Sequence, residues 1–406
     1  MHLPATDARP RVLHLTQPVD GGVAQVVTHL VRAQLTAGLR VAVACPDSEL
    51  SAVLGASGAD VRNWRATRSP GPTLLAEVRG LARVLGEVRP DLVHAHSAKA
   101  GLAGRIAVRG RIPTVFQPHA WSFEAVGGVT SALASKWERW GARWASRVVC
   151  VSEAERATGE RAGITGRWSV IPNGIDPIRF RPATADTVRA ALGVDGGDSA
   201  DGGDGGDGDP RAPLVVCVGR LCRQKGQDVL LDAWDAVLRR VPAARLVLVG
   251  AGPEGDRLRA RAPRSVLFAG AVTDPVPWYQ AADLVVLPSR WEGMALAPLE
   301  AMACGRPVLV TDVDGARESL PAALAGHCLV PPGDPGALAT AVGGLLLDPP
   351  LRESLGHRGR RHVLATHDVR HTAAAVAALY HDLLGGEPDQ ATGRVVPTEY
   401  RESIHP

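Results

Sequence analysis

The sequence predicts an α/β protein of two parallel-sheet domains joined by a polar linker, and three observations carry that reading. Short apolar runs recur along the chain, each closed by Gly, Pro or polar residues and followed by a helix-period segment, as at Leu214–Val218 and Leu284–Leu287. Residues 195–209 are rich in Gly and Asp, with Ala200 the only apolar residue; such a stretch cannot offset the entropy of its own ordering and reads as a flexible acidic insert. A length of 406 residues suits two α/β domains of ordinary size. The expected division is 1–175 for the first domain, 176–210 for the linker with its insert, 211–385 for the second domain and 386–406 for a mobile tail.

In the first domain, residues 12–15 form an apolar strand that runs into Val19-Asp20-Gly21-Gly22-Val23 and a helical segment to about residue 37. A Gly pair between strand and helix lets backbone N–H groups approach an anion at the helix N-terminus, and an ordinary tight turn looks the same. A second strand is expected at 40–44. In Asp91-Leu92-Val93-His94-Ala95-His96-Ser97-Ala98-Lys99 a strand again gives way to a helix, which continues through 102–108 and ends near Gly110. Ser97 and Lys99 stand where a polar ligand would be met, whereas His94 suits a buried structural role. The strand at 113–116 leads to Pro118-His119-Ala120-Trp121, so His119 is either a site residue at a strand's carboxyl end or a core histidine beside aromatics. Residues 131–147 read as a helix with Leu133, Trp137, Trp140 and Trp144 on one face and Lys136, Arg139, Arg143 and Arg147 on its flank. That pattern suits a helix lying at a lipid interface, and a Trp stripe at helical spacing suits a core as well. Strands at 147–151 and 168–171 complete the domain, the latter ending in Pro172-Asn173-Gly174-Ile175-Asp176.

The second domain opens with Leu214–Val218, a cationic loop Gly219-Arg220-Leu221-Cys222-Arg223-Gln224-Lys225-Gly226, and a helix over 227–240. Arg220 and Lys225, bracketed by Gly219 and Gly226 near a helix N-terminus, can meet the roughly −2 charge of a diphosphate. Gly250-Ala251-Gly252-Pro253-Glu254-Gly255 matches the dinucleotide pattern, but it follows the second strand of its domain, Pro253 stiffens its turn, and Asp274 fits the ribose acid loosely. After Leu284–Leu287, Pro288 closes the strand, residues 289–296 form a polar loop, Pro298 suits the first turn of a short helix and Gly305 its end. With the strand at 308–310 this makes a β-α-β unit whose loop lies at the carboxyl edge of the sheet, where open α/β sheets bind ligands. Glu292 and Glu300 are eight residues apart, roughly 12 Å at helical rise. Glycoside hydrolysis needs about 5 to 9.5 Å between its carboxylates, so two carboxylates gripping different hydroxyls of one extended ligand fit better. Asp312-Val313-Asp314 has the Asp-x-Asp form of metal-dependent sugar transfer, but Arg220 and Lys225 can neutralise phosphate and no metal is expected. Helices are expected at 345–355 and 373–384.

A net charge of +3 makes no demand for nucleic acid. Six Cys without a Cys-x-x-Cys pair point to reduced, buried thiols in a cytoplasmic protein. The N-terminus has no apolar signal region, and no stretch reaches the roughly 18 apolar residues of a membrane span, so the protein is expected to be made and kept inside.

Taken together, these residues make the sequence resemble the glycosyltransferase family 4 group: GT-B enzymes, in which two Rossmann-like parallel-sheet domains face each other across a cleft, that transfer sugar from a nucleotide donor with retention of configuration. The resemblance runs over about 11–385, through Gly21-Gly22, His94-Ala95-His96-Ser97, Pro118-His119, Val151-Ser152-Glu153, Pro172-Asn173-Gly174-Ile175-Asp176, Gly219-Arg220-Leu221, Lys225-Gly226, Gly250-Ala251-Gly252-Pro253, Pro288-Ser289-Arg290 and the Glu292/Glu300 pair. The segments from His96 to Gly101 and from His119 to Trp121 look like the branch that builds exopolysaccharide and other lipid-linked surface glycans.

The resemblance implies catalytic roles for His119, Glu292, Arg220 and Lys225. It implies a donor site of Gly21, Gly22, Gly219, Arg220, Lys225, Ser289, Glu292, Gly293, Met294, Ala295, Leu296 and Glu300, with Arg220 and Lys225 on the diphosphate, Glu300 on the ribose and Glu292 on the transferred sugar. Ser97, Lys99, Trp121 and Asn173 would stand on the acceptor side. No cofactor or metal is implied. The implied partners are a UDP- or GDP-sugar, a polyprenyl-linked or saccharide acceptor, and a membrane surface at the inner face of the cell membrane. Ala295 and Asp314 depart from the family, where Gly is usual at both places. Transfer of N-acetylglucosamine to inositol phosphate is the alternative acceptor chemistry, and an NAD-dependent oxidoreductase the alternative class. A phosphorylase would need a Schiff-base Lys, and the chain has only three Lys; an exported sugar-binding protein would need a signal peptide.

Overall fold

The computed structural model describes residues 9–194 and 212–385. The Gly/Asp insert at 195–209 and the tail at 386–406 lie outside the described residues.

The first domain runs β1 (Arg11–Thr16), α1 (Gly21–Thr36), β2 (Arg40–Cys45), α2 (Glu49–Ala56), β3 (Asp60–Asn63), α3 (Leu74–Val88), β4 (Leu92–His96), α4 (Ser97–Val108), β5 (Thr114–Gln117), α5 (Gly128–Gly141), β6 (Arg147–Cys150), α6 (Glu153–Arg161) and β7 (Trp168–Val170). After α7 (Ala185–Leu192) the second domain runs β8 (Leu214–Val218), α8 (Gln227–Arg240), β9 (Arg245–Val249), α9 (Gly255–Arg261), β10 (Val266–Gly270), α10 (Val276–Ala281), β11 (Leu284–Leu287), α11 (Leu296–Ala303), β12 (Val308–Thr311), α12 (Ala325–Cys328) and β13 (Leu329–Val330). The chain ends with α13 (Pro335–Leu347), α14 (Pro349–Thr366) and α15 (Val369–Leu383).

Both sheets are parallel, with strand orders β3-β2-β1-β4-β5-β6-β7 and β10-β9-β8-β11-β12-β13. The order reverses between β1 and β4 in one sheet and between β8 and β11 in the other, so each has its ligand crevice beyond the carboxyl ends of those strands. The central strands are buried on both faces, which is why they read as continuous apolar runs.

Three corrections concern helices. The segment expected as one helix over 131–147 is α5 and a single 3-10 turn at Ala142–Trp144, and α5 begins three residues earlier, at Gly128. The helix expected at 345–355 is two helices: Asp348 caps α14 by accepting from the Leu351 N–H at 3.0 Å, and Pro349 occupies its first turn. The division at 211–385 also does not follow space, because α15 packs on the first domain. Tyr380 Oη meets His94 Nδ1 at 2.6 Å, and Leu379 and Tyr380 share one apolar cluster with Val12, Val26, Leu30 and Leu92. The two passages between the domains touch. Ile175 N–H donates to His367 O at 2.8 Å and Val369 N–H to Ile175 O at 3.0 Å. Gly174 makes this contact possible, since a Cβ there would stand 2.7 Å from the Val369 backbone.

α5 is fixed to α4 by a buried ion pair, Arg105 Nη2 to Glu138 Oε2 at 2.6 Å, with the guanidinium 3.9 Å from the Phe116 ring centroid. Removing one partner strands the other charge in the interior. Arg105→Met is expected to lower stability by roughly 3–5 kcal/mol in urea titrations, and Arg105→Met/Glu138→Leu to recover most of that loss.

Candidate functional site

The two crevices face each other across a cavity of about 350 Å³ lined from both domains. Its first-domain wall is made by the turn into α1, the start of α4 and the loop after β5. Gly21 opens α1 with φ +68°, a conformation that suits glycine, and a Cβ on Gly22 would lie 3.6 Å from the Leu296 side chain across the cleft. Ser97 lines the cavity, and its Oγ donates to Gln17 O.

His119 reaches the cavity from an unusual loop: His119 and Ala120 have φ of +56° and +102°, two consecutive non-glycine residues in the left-handed half of the map. Glu155 holds this turn, because its buried carboxylate accepts from Ala120 N–H at 2.6 Å and Val151 N–H at 2.7 Å. Burial raises that carboxyl to about 7. Trp121 is buried at the edge of the cavity, and its Nε1–H donates to Glu155 O at 2.7 Å.

The second-domain wall is two loops laced together. Arg290 forms a two-pronged pair with Asp228 at 2.8 Å for each prong and donates to Arg223 O, while Arg290 N–H donates to Gln224 O at 2.7 Å. Gly226 has φ +66°, and a Cβ there would stand 2.0 Å from Pro288 O, so the loops meet only because it is glycine.

Within this frame Glu292 accepts from Lys225 Nζ at 2.5 Å and Ser289 Oγ at 2.7 Å. Lys225 is therefore committed to a carboxylate before any anion arrives. Arg220 lines the cavity beside Gly219, and its guanidinium has no partner among the described residues. Glu300 accepts from Tyr279 Oη at 2.6 Å through one oxygen, and its other, Oε1, is buried without a partner. Burial raises the Glu300 carboxyl to about 7. The loop 293–295 completes the wall. Ser152 Oγ donates to Gly293 O at 3.0 Å and Asn173 Nδ2 to Met294 O at 2.7 Å, both across the domain boundary. Because C=O and N–H of a trans peptide point oppositely, this turns the Met294 and Ala295 amides away from the first domain, and neither donates to an acceptor among the described residues. They precede α11, whose cap residue Ala295 makes no side-chain bond, so the helix end carries free donors.

Thus His119, Gly21, Gly22, Gly219, Arg220, Lys225, Glu292, Gly293, Met294, Ala295, Leu296, Glu300, Ser97, Trp121 and Asn173 share one cavity. Two expected site residues do not join them. Lys99 is buried away from the cavity, its Nζ 2.6 Å from Glu77 Oε2 and 3.1 Å from Ser69 O, because the first turn of α4 directs it toward α3. Ser289 is buried behind Glu292 and orients that carboxylate. Sequence reasoning missed Tyr279, Glu155 and His14. His14 was counted as part of an apolar strand, and a histidine in such a run is itself a sign of a buried polar contact.

The competing motifs have other uses. Cβ atoms at Gly250 and Gly252 would stand 2.2 Å from Gly219 O and 2.3 Å from Leu221 O, so these glycines let two turns pack. Asp312 pairs with Arg317, and Asp314 Oδ2 accepts from Thr158 Oγ1 of the first domain at 2.5 Å.

The chain matches the family described as Glycosyltransferase Family 4 over residues 20–179 and that described as Glycosyl transferases group 1 over 212–348. It is 31% identical over 258 residues to the lipopolysaccharide core biosynthesis mannosyltransferase LpsB of Rhizobium meliloti, covering 59% of this chain and 69% of that one. It is 31% identical over 318 residues to D-inositol 3-phosphate glycosyltransferase 2 of Catenulispora acidiphila, covering 71% and 70%. With the UDP-Gal:alpha-D-GlcNAc-diphosphoundecaprenol alpha-1,3-galactosyltransferase of Escherichia coli the figures are 30%, 58% and 61%. The crystal structure of Anabaena HepE in complex with UDP-glucose superposes with a TM-score of 0.76 at 25% identity, covering 92% of this chain and 99% of that one. WaaG, a glycosyltransferase involved in lipopolysaccharide biosynthesis, superposes at 0.69 and 18% identity over 93% and 100%, a likeness of fold. Both domains are thereby GT-B in architecture.

Glu300 gives a test of the site's electrostatics. Its carboxyl rises from 4.5 in the ordinary state to about 7 when folded. The folded state therefore gains from holding the proton below 4.5 and loses that gain as pH rises through 7. Glu300→Gln keeps an acceptor for Tyr279 without a charge. The melting temperature of the variant relative to wild type is expected to rise as pH goes from 5 to 8; a pH-independent difference would show the carboxylate to be solvated.

Proposed function

The chain belongs to glycosyltransferase family 4, and from that membership we propose that it transfers a hexosyl residue, with retention, from a UDP- or GDP-sugar to a hydroxyl of a lipid-linked or saccharide acceptor. The carrying observation is that one cavity holds an unpaired guanidinium, a helix N-terminus with free donors and a carboxylate with one unsatisfied oxygen. Those are the complements of a diphosphate and of a vicinal diol.

Arg220 and the amides of Met294 and Ala295 would take the phosphate oxygens, and Lys225 would divide its charge between Glu292 and the ligand. Glu300 Oε1 would accept from ribose. Glu292, held by Lys225 and Ser289, would accept from the sugar. The donor's anomeric C–O bond breaks as the acceptor oxygen forms a new one on the same face, and the acceptor's proton leaves on the departing diphosphate. Catalysis then rests on fixed positive charge at the leaving group, and no protein nucleophile or metal is required.

The first-domain wall favours a neutral acceptor over inositol phosphate. Apart from His119, its only basic lining residue among the described residues is Arg68, which is already 3.1 Å from Asp20, and Lys99 is sealed by Glu77. The membrane part of the reading draws on α5. Val129, Leu133 and Trp140 are 77%, 60% and 46% exposed, while Lys136, Arg139 and Arg143 stand exposed beside them, and Trp137 is half-buried. An exposed apolar strip flanked by cations suits an anionic leaflet. No helix among the described residues is long and apolar enough to cross a membrane.

Two measurements test these readings. In a thermal-shift panel of UDP- and GDP-sugars, at least one is expected to stabilise the wild type and to lose most of that effect in Arg220→Ala; silence across the panel would remove the donor assignment. In flotation with phosphatidylglycerol-containing liposomes the wild type is expected to float and Leu133→Ser/Trp140→Ser to stay behind, whereas equal recovery of both would remove the membrane surface.

A further inference from the structure

Behind His119 runs a file of buried imidazoles that the proposed transfer does not use. β1 and β4 pair in register with His14 opposite His94, and His96 follows two residues on, on the same face. His14 Nε2 lies 2.8 Å from Gln34 Oε1, His14 Nδ1 lies 3.0 Å from His96 Nε2, and His96 Nδ1 lies 3.2 Å from His119 Nε2. Gln34 Nε2 in turn faces Tyr380 Oη, which lies 2.6 Å from His94 Nδ1. The file thus joins α1 and α15 to the cavity.

Burial lowers all four histidines, His14 to about 4, His119 to about 3, and His94 and His96 well below the ordinary value. A neutral imidazole has one donor and one acceptor nitrogen, so the polarity set at one end of a file is passed to the other. Gln34 Oε1 can only accept. His14 therefore carries its proton on Nε2, its Nδ1 accepts from His96 Nε2–H, and His96 Nδ1 accepts from His119 Nε2–H. His14, His94 and His96 also bring nitrogens within 4.8 Å of one another, the spacing of a metal cluster. In this file, however, His14 Nδ1 and His96 Nε2 are spent on each other at 3.0 Å, and the His94 ring lies face to face with His96, centroids 4.0 Å apart and planes at 27°, so the three rings do not offer free lone pairs to one point.

We propose that Gln34, His14 and His96 are positioning residues that fix the tautomer of His119, leaving its Nδ1 lone pair open to the cavity to accept a hydrogen bond from a hydroxyl of the bound sugar. His119 Nδ1 has no partner among the described residues, and the ring lines the cavity. The inference rests on the donor reading above for the identity of the ligand, and on the geometry alone for the ring proton. A group that only accepts discriminates: it rewards a hydroxyl and repels a carboxylate or phosphate oxygen.

The test reads the proton directly. In long-range 1H–15N spectra of full-length protein labelled with 15N-histidine, with His119 assigned by its loss in His119→Ala, wild-type His119 is expected to show a protonated Nε2 and a bare Nδ1 at pH 7. UDP-sugar, but not UDP, is expected to shift Nδ1 in the direction of an accepted hydrogen bond. Gln34→Glu keeps an acceptor and is expected to keep the pattern. Gln34→Leu strands the His14 Nε2–H, a costlier defect than a stranded lone pair, and is expected to reverse the file so that His119 Nδ1 gains the proton. A protonated Nδ1 in the wild type overturns the proposal, as does a Gln34→Leu spectrum unchanged from wild type. Should no sugar nucleotide raise the melting temperature, the donor reading fails and the proton readout in the free protein still decides the tautomer.

Discussion

The closed arrangement depends on how near the backbone at Gly293 comes to the first domain. A Cβ at this position would stand 2.8 Å from Glu155 Oε1 and 2.9 Å from Val151, and one on Gly315 would stand 1.9 Å from Gly293 O. Only a bare backbone fits between these neighbours. The contact also sorts the peptide groups of the loop: the carbonyls of Gly293 and Met294 are spent on Ser152 and Asn173, and the amides of Met294 and Ala295 are left without an acceptor among the described residues. Each such hydrogen bond contributes roughly 0.5–1.5 kcal/mol net. A handful of them, with Glu318 accepting from Glu153 N–H and Ala154 N–H at the start of α6, holds the domains together without locking them.

Charge is arranged with similar economy. Lys225 and Glu292 satisfy each other, which keeps a lysine and a glutamate partly buried without an uncompensated charge. The Arg220 guanidinium, by contrast, has no partner among the described residues. In the transfer proposed above, a diphosphate would draw the Lys225 ammonium toward itself, while Ser289 and Gln224 keep the Glu292 carboxylate in place. Glu300 is poised differently, because a carboxyl raised to about 7 and holding Tyr279 on one side changes charge state with little cost when a diol approaches the other.

Much of this was legible in the order of residues. The central strands announce themselves because burial on both faces demands unbroken apolar runs, and the glycines and cations after β8 and β11 mark the loops at their ends. Of the four edge strands only β7 was legible. β3 reads Asp60-Val61-Arg62-Asn63 and is half-exposed, β10 is the outer strand of its sheet, and β13 is two residues long; none has to be apolar throughout. Lys99 looked like a ligand because its partner, Glu77, lies a whole β-α unit earlier and nothing local links them. The tryptophans of α5 were ambiguous for the same reason, since a stripe at helical spacing specifies a face but not what covers it. Glu155 and Tyr279 act on other residues of the site and leave no pattern of their own.

The passages at Ile175 and Val369 lie side by side as a two-stranded strip, with Gly174 pressed against it. A pair of chains bonded edge to edge resists shear and twist, so this strip ties the two passages to each other where the chain goes from one domain to the other. The bonds from Glu318 to α6 are a further tie between the domains. The Gln34–Tyr380 contact, by contrast, lies within the packing of the first domain, on which α15 rests, so the proton placement proposed for His119 is independent of the bonds between domains.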